Sequence, residues 1–332
     1  MQPFTEEDRD DFLRHWFLAV ETGEDPTFLL ARRTYPTAKP DEHTRRQAER
    51  KAESLIAQIG ETPGVGDLAG NPLLCTIVGL LFLQGGTLPD NRAELYKLCV
   101  DTFIFNWEMH KRRRPQEGPQ LDRNETQAVL ERLALDFHAH RPDNRAPHAE
   151  ILRIATEYLR EVGGESEVSA AAKSEDLFRL IRDVSGLLID RGNDEYGFFH
   201  LSFQEYLAAR YMTRSRRRTR EHIEQHAFNP RWREVMRLGA MHQGQKDPES
   251  GSEFVEVVWR MDHAPPHDDI MQYRFRFAFL LARETRVERR LWDELWRHWA
   301  DLFWGRVELG FLWIRLLEGP GKTAPCPEDV LS

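Results

Sequence analysis

The segment LLIDRGNDEYGFFHLSFQEYLAA at 187–209 constrains the fold most, because a β-hairpin pattern runs directly into a capped helix. Two short apolar stretches flank the turn-forming residues RGNDE, which is typical of two strands joined by a tight turn. Ser202 then stands three positions before Glu205, the spacing of a capping box. This spacing predicts that Ser202 is the N-cap and that His200 lies two residues before it.

Outside this segment, apolar residues recur at the spacing of amphipathic helices. Three such helices precede the hairpin between 120 and 186, and four follow it between 232 and 303. In the last of these helices, the stripe formed by Trp292, Trp296 and Trp299 is predicted to face the core, with a partner-binding face as the alternative. The clearest internal linker is 115–119, where a glycine lies between two prolines.

The net charge of −9 argues against a general nucleic-acid-binding surface, although 214–220 form a local basic run. The longest apolar run, 73–83, is far short of the roughly 20 residues that span a bilayer, and the N-terminus lacks a signal-peptide pattern. The three cysteines are widely spaced, as in reduced cytosolic proteins. These features predict a cytoplasmic protein without membrane or nucleic-acid partners.

No catalytic or metal-binding arrangement is evident from residue spacing. The stretch GPGKT at 319–323 resembles part of a P-loop, but that motif requires glycine at the position of Leu316 and a preceding strand. No other Walker A motif occurs in the sequence. We therefore expect no catalytic activity from this chain alone.

Three blocks of sequence together resemble the NACHT family of STAND NTPases. They are GNPLLCTIVGLL at 70–81, LPDNRAELYKLCVDTFIFNW at 88–107 and FFHLSFQEYLAA at 198–209, in the order found in that family. The resemblance covers roughly 1–215. It implies a helical domain and a winged-helix domain that would follow a nucleotide-binding P-loop domain, and the latter is missing from these residues.

The predicted fold class is therefore mainly α, with three folded domains and a tail. These are a NACHT-associated helical domain at 1–114, a winged-helix domain with a short β-hairpin at 120–215, a C-terminal α-solenoid-like (HEAT-like) helical domain at 220–318, and a disordered tail at 319–332.

The resemblance also implies the site residues. Pro72, with Asn71 beside it, would contact the adenine of a bound nucleotide, and His200 would contact the β-phosphate of ADP. ADP or ATP would bind only in the context of the missing domain. From the residues alone, a simpler role remains open for each: Pro72 presets the first turn of a helix, and His200 is a capping or core histidine bonded to a carbonyl.

Three functions remain open at this stage. The first is the regulatory and sensing portion of a NACHT-type STAND NTPase, which closes over ADP or ATP and opens for signalling assembly, with a role in innate immunity or antiphage defence. Its partners would be the P-loop ATPase domain, in cis or in trans, and a protein partner or further copies of itself on activation. The second is a stand-alone helical interaction scaffold, and the third is a winged-helix DNA-binding regulator.

Overall fold

The computed structural model describes residues 4–22, 41–61, 65–70, 72–85, 88–89, 91–113, 123–182, 187–263 and 265–302. Most of these residues are helical. The helices are α1 (Glu6–Glu21), α2 (Glu42–Glu61), α3 (Val65–Ala69), α4 (Pro72–Gly85), α5 (Arg92–Arg113), α6 (Arg123–His140), α7 (His148–Glu161), α8 (Glu167–Leu180), α9 (Leu201–Met212), α10 (Arg216–His226), α11 (Arg233–Lys246), α12 (Pro248–Arg260), α13 (Asp268–Met271), α14 (Tyr273–Glu284) and α15 (289–302). The strands are β1 (Ala146–Pro147), β2 (Leu188–Gly192) and β3 (Glu195–Phe198).

The chain forms two compact units, which we call the N-terminal unit (Met1–Ala208) and the C-terminal unit (Ala209–Ser332). The boundary between them falls within α9. The mainly α fold predicted from the sequence is confirmed. The predicted linker at 115–119, the GPGKT stretch and the predicted tail at 319–332 lie outside the described residues.

In the N-terminal unit, the first helices pack around two buried aromatic side chains of α1, Trp16 and Phe17. A methyl group on Gly79 of α4 would lie 2.8 Å from the Trp16 ring, so only glycine lets this helix approach so closely. Cys75 and Cys99 are buried free thiols, as the sequence predicts. Burial raises the pKa of the Cys75 thiol to about 12 and raises that of Cys99 as well.

The second half of the N-terminal unit has the element order α6, β1, α7, α8, β2, β3, α9, which is that of a winged helix. The three strands form an antiparallel sheet in the order β1-β3-β2. The predicted hairpin is confirmed: its turn residues Asn193 and Asp194 have φ angles of 57° and 60°, as a two-residue type I′ turn requires. Sequence periodicity missed β1, whose two residues pair with β3.

In the C-terminal unit, α11, α12 and α14 pack on one another. Arg237 of α11 donates to Glu284 of α14, with 2.8 Å between Nε and Oε2. Close packing also depends on Gly251 of α12, where a methyl group would lie 2.2 Å from the carbonyl oxygen of Arg286. A second cluster stacks the rings of two histidines on Trp232.

The tryptophan stripe of α15 is not a core feature as a whole. Leu291 and Leu295 of this helix are buried, whereas Trp296 is 51% exposed and Trp299 is 46% exposed. The prediction that the stripe faces the core is therefore wrong for Trp296 and Trp299. Among the described residues, no helix is both long and apolar enough to cross a bilayer.

Candidate functional site

Helix α9 begins two residues earlier than predicted, and the difference changes the role of His200. The helix begins at Leu201, so His200 occupies the N-cap and Ser202 lies inside the first turn. The Ser202 backbone N–H donates to Nδ1 of His200 at 3.2 Å, and the Phe203 N–H donates to the His200 carbonyl at 3.2 Å. The imidazole therefore performs the capping role predicted for the Ser202 hydroxyl.

This hydrogen bond determines which nitrogen of His200 carries a proton. A neutral imidazole whose Nδ1 accepts a hydrogen bond has its proton on Nε2. Burial lowers the pKa of His200 below its usual 6.5, so the ring is neutral at pH 7. Nε2 is then the atom of His200 that can donate to an anion.

Large apolar side chains alternate between buried and exposed around His200. Phe198 and Phe203 are buried, whereas Phe199 is 42% exposed and Leu201 is 43% exposed. The half-buried histidine is thus flanked in sequence by two apolar side chains that contact water. These two side chains would lose contact with water if another surface covered this part of the chain.

Helix α9 is held in place by contacts that the sequence did not reveal. The Tyr206 ring stacks on Tyr96 of α5 at 5.6 Å between centroids, and Phe203 meets Tyr96 edge-on at 5.7 Å. Buried Gln204 donates from Nε2 to Oδ1 of Asn144 at 3.0 Å. These contacts join segments that are far apart in the sequence, so local patterns could not show them.

Of the other two predicted site residues, the structure describes only Pro72. Pro72 is the first residue of α4, as its fixed φ favours, and its carbonyl accepts from the Thr76 hydroxyl at 3.0 Å. Asn71 lies outside the described residues. Pro72 therefore has the structural role that the sequence predicts, and the nucleotide contacts of Pro72, Asn71 and His200 stay predictions.

The fold and the capped helix define the class: a winged-helix region embedded in a mainly helical chain. Residues 92–212 match the family model described as the winged helix-turn-helix domain C-terminal to NACHT. The match runs from the start of α5 to the end of α9 and includes His200. The chain thus contains a winged-helix region of the kind found C-terminal to NACHT domains, as the resemblance implied for this part of the sequence.

Proposed function

We propose that this chain is the regulatory portion of a NACHT-type STAND NTPase. In this proposal it closes over ADP or ATP held by a P-loop ATPase domain, supplied in cis or in trans, and opens for signalling assembly in the cytoplasm. Assembly would involve a protein partner or further copies of the chain, with a role in defence. The match of 92–212 supports the regulatory class, and the geometry of His200 supports the nucleotide contact.

The proposed switch acts through Nε2 of His200. In the closed state this atom donates to the β-phosphate of ADP, while Nδ1 continues to cap α9. A hydrogen bond to a charged group contributes about 1.5–3 kcal/mol, or roughly tenfold to more than a hundredfold in the closed-to-open ratio. Pro72 and Asn71 contact the adenine, and loss of the phosphate contact favours the open state.

The exposed side chains beside His200 support closure onto another surface. If the histidine meets a nucleotide, Phe199 and Leu201 lie close to the domain that holds it. Their burial there would add a hydrophobic contribution of about 25 cal/mol for each Å² of apolar surface removed from water. The closed state would therefore hide apolar groups that the open state exposes to partners.

The helix in the recognition position of the winged helix argues against the DNA-binding alternative. That helix, α8, carries Glu167, Glu175 and Asp176 against two basic residues. One of the two, Lys173, is buried and donates to Glu125 and Glu165 at 3.0 and 2.5 Å. DNA readers usually place a basic surface there, because phosphate contacts supply most of the affinity.

The first experiment is to measure the mass of the endogenous protein, captured through a C-terminal tag in its own host. A species well above 39.0 kDa supports a P-loop domain in cis. A species of 39.0 kDa requires a partner that supplies the P-loop domain in trans, and we then expect this partner to copurify with the chain. A protein of 39.0 kDa that copurifies with no ATPase would contradict the proposal.

The second experiment measures nucleotide in the complex of this chain with its ATPase domain. The wild type should retain ADP through purification, and both His200→Ala and His200→Asn should release it. Asparagine is a good N-cap, so His200→Asn separates loss of the phosphate contact from loss of the cap. The control is His140→Ala, which removes an imidazole that is 68% exposed, at the end of α6. Equal ADP content in all four proteins would refute the assignment of His200.

A further inference from the structure

A basic cavity lies in the C-terminal unit, where α10 begins. Its volume is about 340 Å³, within the range of pockets that hold small ligands. Five of the side chains that line it are cationic and one is a carboxylate. These charged residues are Arg214, Arg216, Arg217, Arg220, Lys246 and Glu253.

The first turn of α10 carries positive charge, although helices usually carry negative charge at this end. It contains Arg216, Arg217 and Arg218 and no acidic residue, although the positive end of the helix dipole disfavours cations there. Ser215 caps the helix by accepting from the Arg218 N–H at 3.3 Å, and the other N–H groups of a first turn have no acceptor within the helix. A sequence that breaks a local rule in this way is expected at a functional site.

The side chains around the cavity are positioned by contacts within the C-terminal unit. Buried Gln243 donates to the Thr213 carbonyl at 2.8 Å, and Lys246 Nζ lies 3.2 Å from Oε1 of Gln243. Arg216 pairs with Glu253 at 3.0 Å. Arg216 and Lys246 are therefore already held by contacts within the unit, which lowers the cost of binding.

Two further arginines of the cavity, Arg217 and Arg220, form only weak ion pairs. Arg217 lies 3.7 Å from Glu221, and Arg220 lies 4.0 Å from Glu224, both on the exposed surface of α10. Exposed pairs of this kind contribute about 0–1 kcal/mol, so exchanging them for a stronger anionic partner costs little. Guanidinium groups bind phosphate oxygens in a bidentate manner, which favours phosphate over a single carboxylate.

We propose that this cavity binds a small polyanion that carries at least two phosphate groups. The volume suits a compact ligand rather than a polymer, and the five cationic side chains lining the cavity against one carboxylate favour a ligand with more than one negative charge. The phosphates lie against the first turn of α10, where they compensate both the arginines and the helix dipole. This site is separate from His200 and does not depend on the function proposed above.

The test uses tripolyphosphate and the full chain, with binding measured by calorimetry at low salt. The wild type should bind saturably, and added salt should weaken binding. The variant Arg217→Gln/Lys246→Gln should bind at least about tenfold more weakly, because it loses two charge-assisted contacts. The control Arg283→Gln/Arg289→Gln removes the same charge from exposed positions outside the cavity and should bind like the wild type.

A second variant guards against misfolding, since Lys246 has structural hydrogen bonds. Arg217→Gln alone changes a side chain that is 89% exposed, and it should still weaken binding. No saturable binding to the wild type, or equal weakening in the cavity and control variants, would overturn the proposal. Single-stranded oligonucleotides of increasing length provide a further test. If they bind more tightly than tripolyphosphate, with an affinity that rises with their length, the surface binds nucleic acid and the proposal is overturned.

Discussion

The N-cap role of His200 predicts a stability change that can be measured without any partner. In His200→Ala, the Ser202 N–H loses the Nδ1 acceptor that lies 3.2 Å away. Replacing a capping side chain by alanine costs about 1 kcal/mol, within a range of about 0.5–2 kcal/mol. His200→Asn restores an acceptor at the N-cap and should recover most of this loss. The assay is urea denaturation at pH 7.5, followed by circular dichroism and tryptophan fluorescence.

The pH dependence of the same variants provides a second check. Burial lowers the folded-state pKa of His200, so its stabilising contribution is present above the unfolded pKa of about 6.5 and is lost as the pH falls below it. The stability difference between wild type and His200→Ala should therefore shrink between pH 7.5 and 5. Equal destabilisation by alanine and asparagine, or a difference that grows at pH 5, would refute the capping role.

Three further predictions concern packing and titration. Gly251→Ala should destabilise the protein by about 1–3 kcal/mol because its methyl group meets a backbone carbonyl. Gly60→Ala, with open space around it, should be neutral or stabilising in thermal unfolding. Equal effects of the two substitutions would contradict the packing argument. Burial, with nearby cations, lowers the pKa of His222 to about 4, so the stability of the fold should fall as the pH drops from about 6.5 towards 4. His222→Gln should flatten this pH dependence in urea titrations. An unchanged slope of stability against pH would exclude His222 as its source. Cys75 and Cys99 should resist alkylation by iodoacetamide at pH 8 until the protein unfolds, which mass spectrometry of their peptides can show. Rapid alkylation of the folded protein would contradict their burial.

The sequence predicted the elements of the winged helix that have strong local signals. The hairpin was visible because Asn193 and Asp194 tolerate positive φ between two apolar strands. Strand β1 was not, because Ala146 and Pro147 carry no periodicity and are extended only through pairing with β3. Local sequence encodes turns and caps, whereas a two-residue edge strand depends on a distant partner.

The N-cap role of His200 and the exposure of Trp296 and Trp299 in α15 were missed for a related reason. The S-x-x-E spacing at Ser202 identified the right turn of the chain, but the backbone places the helix start two residues earlier than predicted. Helical spacing also groups Trp296 with Trp299, yet the core lies against the face of Leu291 and Leu295. Periodicity shows that a helix has an apolar side, and only tertiary contacts decide how wide the buried part is.

The free energy of one hydrogen bond from His200 limits how far this residue alone could shift the proposed closed–open equilibrium. Moving a two-state equilibrium from 1:99 to 99:1 requires a differential of about 5.5 kcal/mol, whereas one charge-assisted hydrogen bond supplies about 1.5–3 kcal/mol. In the proposed switch, the imidazole would therefore provide at most about half of the bias toward the closed state. The remainder would have to come from other contacts made only on closure, and burial of the exposed side chains of Phe199 and Leu201 would contribute to it. Removing those two apolar groups should then shift the closed-to-open ratio by an amount comparable with the loss of His200 itself.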